Sequence, residues 1–269
     1  MSRLAKQVAE IGVTDTLAAQ DTPVHRLDPR AKLAATLLYL VVVISFERHT
    51  VSALIPLVFF PVYLCASGHI PPGYIFRKMV WVSPFALAAA AVNPFLDTQP
   101  LTALCGVEIS AGQMSFISVM LRFALTVGAT LALLAVTGFY RLVWAAERLG
   151  LPKVLAVQLM FFFRYLFVLA AEAVRMMRAR SLRTFSKRGM GLRSFGPLAG
   201  RLLLRTLDRA ERIYTAMIAR GFSGTVHAFS PLRFRFRDGM FVVGWALFFA
   251  AARWIDLPAA LGRAAMERM

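Results

Sequence analysis

Acidic residues are scarce in this chain: 14 Asp and Glu stand against 31 Lys and Arg, for a formal net charge of +17 over 269 residues. Cysteine is scarcer still. Cys65 and Cys105 have no close Cys or His neighbour at metal-ligand spacing, which excludes a disulfide framework or a zinc site built on them. His25, His49, His69 and His227 stand singly, and no His-x-His, Cys-x-x-Cys or Asp/Glu cluster is present to hold a divalent ion. No metal site and no cofactor are therefore expected. The chain has no G-x-x-x-x-G-K-[ST] stretch, so it does not bind ATP through a P-loop. Residues 1–24 mix polar and apolar side chains without the apolar core of a secretory signal, and are expected to form an N-terminal surface segment. A balance this basic in a water-soluble protein would suggest nucleic acid, but no nucleic-acid-binding motif accompanies it.

Apolar residues are what the chain has in excess. They make up 58% of it, and the mean hydropathy is +0.63. A globular protein holds about 45–50% apolar residues, so the composition points to an all-α integral membrane protein. The basic excess then fits cytoplasmic loops, which collect Lys and Arg. Residues 31–46, 51–66, 80–95, 114–139 and 240–254 are apolar runs expected to cross the bilayer as about five transmembrane helices. The second contains Pro56 and Pro61. The third contains Pro84 and is expected to end at Asn93-Pro94. Loop charges set the orientation. Arg26, Arg30 and Lys32 place the N-terminus in the cytoplasm, and Arg77 with Lys78 follows the second run on the same side. Residues 96–113 carry Asp97 and Glu108 but no Lys or Arg, so they face outward. Arg141, Arg148 and Lys153 return the chain to the inside.

Residues 154–173 form a further apolar run that breaks this alternation if it crosses. Crossing would put Arg175, Arg178, Arg180, Arg183, Lys187, Arg188 and Arg193 outside and Arg164 in mid-bilayer. Residues 152–185 therefore read as one long helix that does not cross, with Pro152 in its first turn. Gly189, Gly191 and Gly196-Pro197 signal a turn. A second helix is expected over residues 198–220. Leu203, Leu207, Ala210, Tyr214, Met217 and Ile218 recur on it at helical spacing, with Arg201, Arg205, Arg209 and Arg212 along the other side. Gly221 is its natural stop. Two long amphipathic helices of this kind make a hairpin or a crossed pair in the cytoplasm.

These two helices carry a repeat: Met177-Arg178-Ala179-Arg180 returns as Met217-Ile218-Ala219-Arg220. On a helical wheel Met176 and Met177 flank Arg180, while Ile213, Ala216 and Met217 lie near Arg220. An arginine beside a small Ala and adaptable Met side chains suits insertion into a partner's groove, where the guanidinium can meet carboxylates or the carbonyls of a helix C-terminus. Two copies suit a partner that offers the same socket twice, as a two-fold dimer does. A basic helix resting on anionic lipid would need the arginines but not the Ala-Arg pairing. Gly221-Phe222-Ser223-Gly224 also matches the short GxSG motif of intramembrane rhomboid proteases, with His227 nearby. A basic cytoplasmic turn is the wrong setting for a Ser-His pair, which needs hydrogen-bonding geometry, and turn chemistry explains the four residues.

The pair Ala179-Arg180-Ser181 and Ala219-Arg220-Gly221 resembles the two Ala-Arg-Gly signatures of the transmembrane T component, the EcfT family, of energy-coupling factor transporters. His25-Arg26-Leu27-Asp28-Pro29-Arg30-Ala31-Lys32 resembles that family's N-terminal signature. Asp208-Arg209-Ala210-Glu211-Arg212, leading into Ala216-Met217-Ile218-Ala219-Arg220-Gly221-Phe222, resembles its second coupling helix. The likeness runs over residues 22–255 and is to the cobalt-transport branch, CbiQ. Ser181 departs from the signature glycine, so the first helix need not end there. The resemblance implies an energy-coupling subunit of an ATP-driven cobalt (Co2+) uptake system in the bacterial cytoplasmic (inner) membrane. Its partners would be a pair of ATP-binding-cassette (ABC) ATPases on the cytoplasmic side and a separate substrate-binding membrane subunit, with no nucleic acid. ATPase docking would fall to Ala179, Arg180, Ser181, Ala219, Arg220 and Gly221. ATP hydrolysis would belong to the partners, so this chain would not be an enzyme. The expected organisation is an N-terminal segment (1–24), a four-span bundle (25–140), a coupling-helix region (141–230) and a last span with its tail (231–269). A nickel or biotin system of the same architecture, an unrelated membrane scaffold and a protease are the alternatives.

Overall fold

The computed structural model describes residues 17–46, 51–92, 100–104, 107–183, 192–224 and 234–254. These fall into two compact units, one of residues 17–138 with 234–254 and the other of residues 139–224.

The first unit is a helical bundle. Helix α1 (Pro29–Ser45) begins at Asp28, whose carboxylate accepts the Arg30 N–H at 2.8 Å, and Pro29 fits the first turn, where no intrahelical donor is needed. Two 3-10 turns, Ser52–Leu54 and Pro56–Val58, then lead into α2 (Phe59–Ser67). The 51–66 run is thus not one regular helix. Pro56 cannot donate into a ladder and starts the second 3-10 turn. The apolar helical stretch Pro56–Ser67 rises only about 18 Å, short of the ~30 Å hydrocarbon core. Helix α3 (Pro72–Ala91) starts eight residues before the expected run and takes Arg77 and Lys78 into its first turns, with Pro84 inside it. Its end at Ala91 falls just before Asn93-Pro94, which lies outside the described residues.

Strands β1 (Pro100–Leu104) and β2 (Val107–Ser110) follow as an antiparallel hairpin, Thr102 opposite Ile109 and Leu104 opposite Val107. This small hairpin is a local addition to a fold that is otherwise helical among the described residues, as expected. β-Branched Thr102, Val107 and Ile109 favour extended backbone. Helix α4 (Ala111–Thr137) runs from it, and Gly138 closes α4 at φ 77°. The core is aromatic. Tyr39 of α1 packs 4.8 Å from Phe60 of α2 and 5.4 Å from Phe249, and Trp245 lies 4.8 Å from Phe60. Phe249 and Trp245 belong to the last helix of this unit, α8 (Phe236–Trp254). The Tyr39 hydroxyl donates to the Leu57 carbonyl at 3.2 Å.

One end of this bundle gathers the start of α1, the end of α2, the end of α4 and the start of α8. A Cβ on Gly68 would meet Val136 at 2.8 Å, and one on Gly138 would meet Ala18 at 3.0 Å. Within the expected N-terminal surface segment Ala18, Thr22 and Val24 are buried here, while residues 1–16 lie outside the described set. His25 is buried with Nδ1 2.7 Å from the Thr22 hydroxyl and Nε2 3.1 Å from the Leu17 carbonyl, a structural role.

The second unit opens with α5 (Phe139–Arg148), a short amphipathic helix where a loop was expected. It packs on α6 (Lys153–Arg183) through Phe139 stacked 4.2 Å from Phe163, and Tyr140 edge-on to the same ring. Helix α6 is one unbroken element of 31 residues, entered at Pro152, whose carbonyl accepts the Ala156 N–H. Helix α7 (Leu192–Ala219) starts earlier than residue 198 and carries Pro197 within it, so Gly196-Pro197 does not break the helix. A proline six residues into a helix forfeits one backbone bond close to the end, where fewest turns depend on it. Among the described residues, Gly112–Thr137 and Lys153–Arg183 are the helices long and apolar enough to cross a membrane.

Candidate functional site

Antiparallel helices α6 and α7 cross, and the crossing carries the charge. Glu172 is the only acidic residue of α6. Its Oε2 accepts Arg175 Nη2 at 2.6 Å and Nε at 3.1 Å, and its Oε1 accepts Arg205 Nη1 of α7 at 2.6 Å. These two guanidiniums, Arg175 first and Arg205 second, hold the Glu172 carboxyl below the usual carboxylate range. The side chain is a fifth exposed, while both arginines are two-thirds exposed.

Clefts open around this point. Towards the end of α6, a cleft of about 630 Å³ is lined by Arg175, Ala179, Arg180 and Arg183 of α6 and by Arg201 and Arg205 of α7. Towards the start of α6 lies an apolar cleft of about 720 Å³, walled by Phe161, Tyr165 and Leu169 against Leu207, Ile213 and Met217.

The six residues singled out in the sequence fall into two places. Ala179, Arg180 and Ser181 lie inside α6, which runs on to Arg183. The Ser181 hydroxyl donates back to the Arg178 carbonyl at 2.8 Å, the usual resting place of a helical serine. Ala219 is the last residue of α7, Arg220 its cap and Gly221 the residue beyond, at φ 75°. Gly221 N–H bonds the Ile218 carbonyl at 2.9 Å and Phe222 N–H bonds the Met217 carbonyl at 3.0 Å. These two bonds form a Schellman motif, which needs a left-handed residue and so a glycine. The two triplets are not brought together. Arg180 lies beside the first half of α7, near Leu198 and Arg201, whereas Phe222, next to Gly221, lies 6.4 Å from Phe161 in the first half of α6. The arginines thus stand at opposite ends of the crossed pair, on the order of 30 Å apart by helical rise.

Two functional candidates escaped the sequence reading. One is Glu172, whose signal was its solitude on a basic helix. The other is Asp238, buried at the foot of the bundle. Its Oδ1 accepts the Asp28 N–H at 2.9 Å and its Oδ2 the Arg235 N–H at 2.7 Å, which joins the starts of α1 and α8. Among the described residues no three His, Cys, Asp or Glu side chains assemble as a metal-binding group, and His49 and His227 lie outside that set.

The family described as cobalt transport protein, CbiQ, matches residues 20–230. The chain belongs to this family. The match takes in the start of α1, both helices of the crossing and both Ala-Arg triplets, and stops short of α8. The cobalt transport protein CbiQ of Salmonella typhimurium is 28% identical over 166 residues, covering 57% of this chain and 74% of the relative. The energy-coupling factor transporter transmembrane protein EcfT of Streptococcus thermophilus is 26% identical over 227 residues, 76% of this chain and 83% of the relative. Nickel permease LarQ of Lactiplantibacillus plantarum is 31% identical over 116 residues, 42% of each chain. The CbiQ-family chain is therefore a membrane protein, the transmembrane component of an energy-coupling factor transporter. Its family is one of transporter components rather than enzymes.

Proposed function

We propose that this chain couples ATP-driven closure of a pair of ABC ATPases to cobalt uptake, with α6 and α7 as the coupling helices and a separate membrane subunit binding the cargo. The observation that carries the reading is the placement of Arg180 and Arg220 at opposite ends of one crossed pair. A two-fold ATPase dimer offers two equivalent sockets set apart in space, and a pair of separated, similar knobs fits that symmetry. Closing the dimer changes the distance between the sockets and so drives the helices against each other. Arg180 and Ala179, with Ser181 behind them, would enter one socket; Ala219, Arg220 and Gly221 would enter the other.

The same reading keeps α6 in the cytoplasm, with the N-terminus cytoplasmic and the bundle in the bacterial inner membrane. The Asp238 bridge supports it. Asp238 joins the starts of α1 and α8 at one end of the bundle, which fits an even number of crossings between those starts. Passes by α1, by the 3-10 turns together with α2, by α3 and by α4 would meet that parity. A fifth pass by α6 would break the parity, and would carry seven basic residues outward with it.

Cobalt is the cargo in the names of the family and of the Salmonella relative; nickel is favoured by the likeness to LarQ and is the second reading. Purification of the tagged chain from its host in mild detergent, with mass spectrometry of its companions, tests the assembly. A P-loop ATPase and one small membrane subunit are expected, and recovery of this chain alone would sink the reading. Uptake of radioactive cobalt against nickel by cells expressing the complete set of subunits decides the cargo.

A further inference from the structure

We propose that Glu172 is a sliding ionic pivot, a single carboxylate that steps along a rack of arginines on α7 as the coupling helices move. This rests on the coupling role proposed above. The present contact is to Arg205, 2.6 Å away. Arg201, Arg205, Arg209 and Arg212 follow one another along α7 at intervals of four, four and three residues, close to one helical turn each. Glu172 lines a cleft with Arg201 and Arg205 on one side of the crossing, and another with Arg205, Arg209 and Arg212 on the other. A cation therefore stands four residues away in either direction, a shift of about 6 Å. Packed elements move past each other in steps of this size, because interdigitated side chains have discrete registers.

The local chemistry suits a contact that must break and re-form. Arg175, three residues on along α6, holds Oε2 and fixes the side chain, leaving Oε1 directed at α7. Both partner arginines are mostly exposed, where an ion pair is nearly neutral for stability, so the contact contributes position more than strength. The flanks of the crossing are open: Leu203, Leu204, Leu207 and Tyr214 of α7 are exposed. No tight apolar seam there would hold one register against the others. Glu172 is thus a positioning residue, whose loss leaves the helices and the docking arginines in place but lets the pair slip.

The test uses the complete transporter reconstituted in liposomes, read as cobalt delivered per ATP hydrolysed. With Glu172→Gln, the subunits still co-purify and ATP is still hydrolysed, but cobalt per ATP falls about fivefold or more, the lower range of measured coupling between sites. The charge exchange Glu172→Arg with Arg205→Glu rebuilds the present pair but faces Arg201 and Arg209 with a like charge, so it does not restore cobalt per ATP. Unchanged coupling in Glu172→Gln would overturn the pivot. Full restoration by the exchange would overturn the stepping and leave a static pair. Failure of the unaltered chain to assemble with an ATPase is a separate result. It would remove the coupling role itself, and this inference with it.

Discussion

Glu172 of α6 and Arg205 of α7, 33 positions apart in sequence, meet at 2.6 Å and tie the two long helices at their crossing. The carboxylate is the only acid on α6, so its replacement cannot be covered by a neighbour on the same helix. The contact also has a defined acid limit. Arg175 and then Arg205 lower the carboxyl from its ordinary value of 4.5. A lowered folded-state value means that the contribution is complete above the ordinary value and fades as pH falls through the lowered one. Spin labels on α6 and α7 should therefore report a constant interhelical distance from pH 8 to about pH 5, with loosening only in stronger acid. Loosening between pH 7 and 6 would mean that another group governs the crossing.

Arg220 should be separable from folding. It is exposed, sits outside the last helical turn, and has no buried surroundings to lose. Arg220→Ala should leave expression and thermal unfolding in detergent unchanged, while ATPase co-purification drops and uptake is abolished. Arg220→Lys should recover little of either, because an ammonium cannot reproduce a planar fork of donors. Normal uptake with Arg220→Ala would remove this residue from the docking contact. Full activity with lysine would favour a lipid-resting helix, which needs only charge.

Gly221 should matter through its backbone. A Cβ there meets nothing within 4 Å, yet φ is 75°. Gly221→Ala therefore costs roughly 1–2 kcal/mol of local backbone strain without a clash. The last turn is expected to open, releasing the Phe222 bond to Met217 and letting Arg220 swing. ATPase affinity should fall several-fold while the melting temperature of the bundle stays where it was. The corresponding change at Ser181, to Ala, should do far less, since Ser181 lies within a continuing helix in ordinary helical backbone.

The sequence carried the long elements well, for a physical reason. The 152–185 helix has two powerful local signals, a proline at its entry and a helical apolar period, and α6 spans Lys153–Arg183. Gly221 was legible as a stop because the left-handed turn leaves so few choices. The misses lie where tertiary context outweighs local preference. Pro197 reads as a breaker, but so near the start of α7 it forfeits only one bond. Helix α5 has an apolar face of its own, with Val143 and Ala145 buried, but it is only ten residues long and follows directly on the 114–139 apolar run, which masks it. Pro56 and Pro61 bear on the same apolar run, yet composition could not say that Pro56 leads to 3-10 turns and that α2 absorbs Pro61. Both arginine triplets could be named from spacing, but the pairing of Glu172 with Arg205 and of Asp238 with Asp28 joins residues far apart in the chain, which no local period records.

Asp238 should prove to be a structural keystone of the bundle. It is 3% exposed and accepts two backbone N–H groups, one from Asp28 at the start of α1 and one from Arg235 beside α8. Asp238→Ala leaves both donors without an acceptor in a site that water barely reaches. At about 1–3 kcal/mol for each buried unsatisfied group, the loss is a large share of a membrane bundle's stability. Asp238→Asn keeps one carbonyl oxygen and should be intermediate, since its amide nitrogen cannot accept the second N–H. Thermal unfolding in detergent should therefore rank the unaltered chain above Asp238→Asn, and Asp238→Ala lowest. Cysteines placed at the starts of α1 and α8 should crosslink readily in the unaltered chain and slowly in Asp238→Ala. If Asp238→Ala melted and crosslinked like the parent, the common starting face of α1 and α8 would need another source. The parity proposed for a cytoplasmic α6 would then lose its anchor.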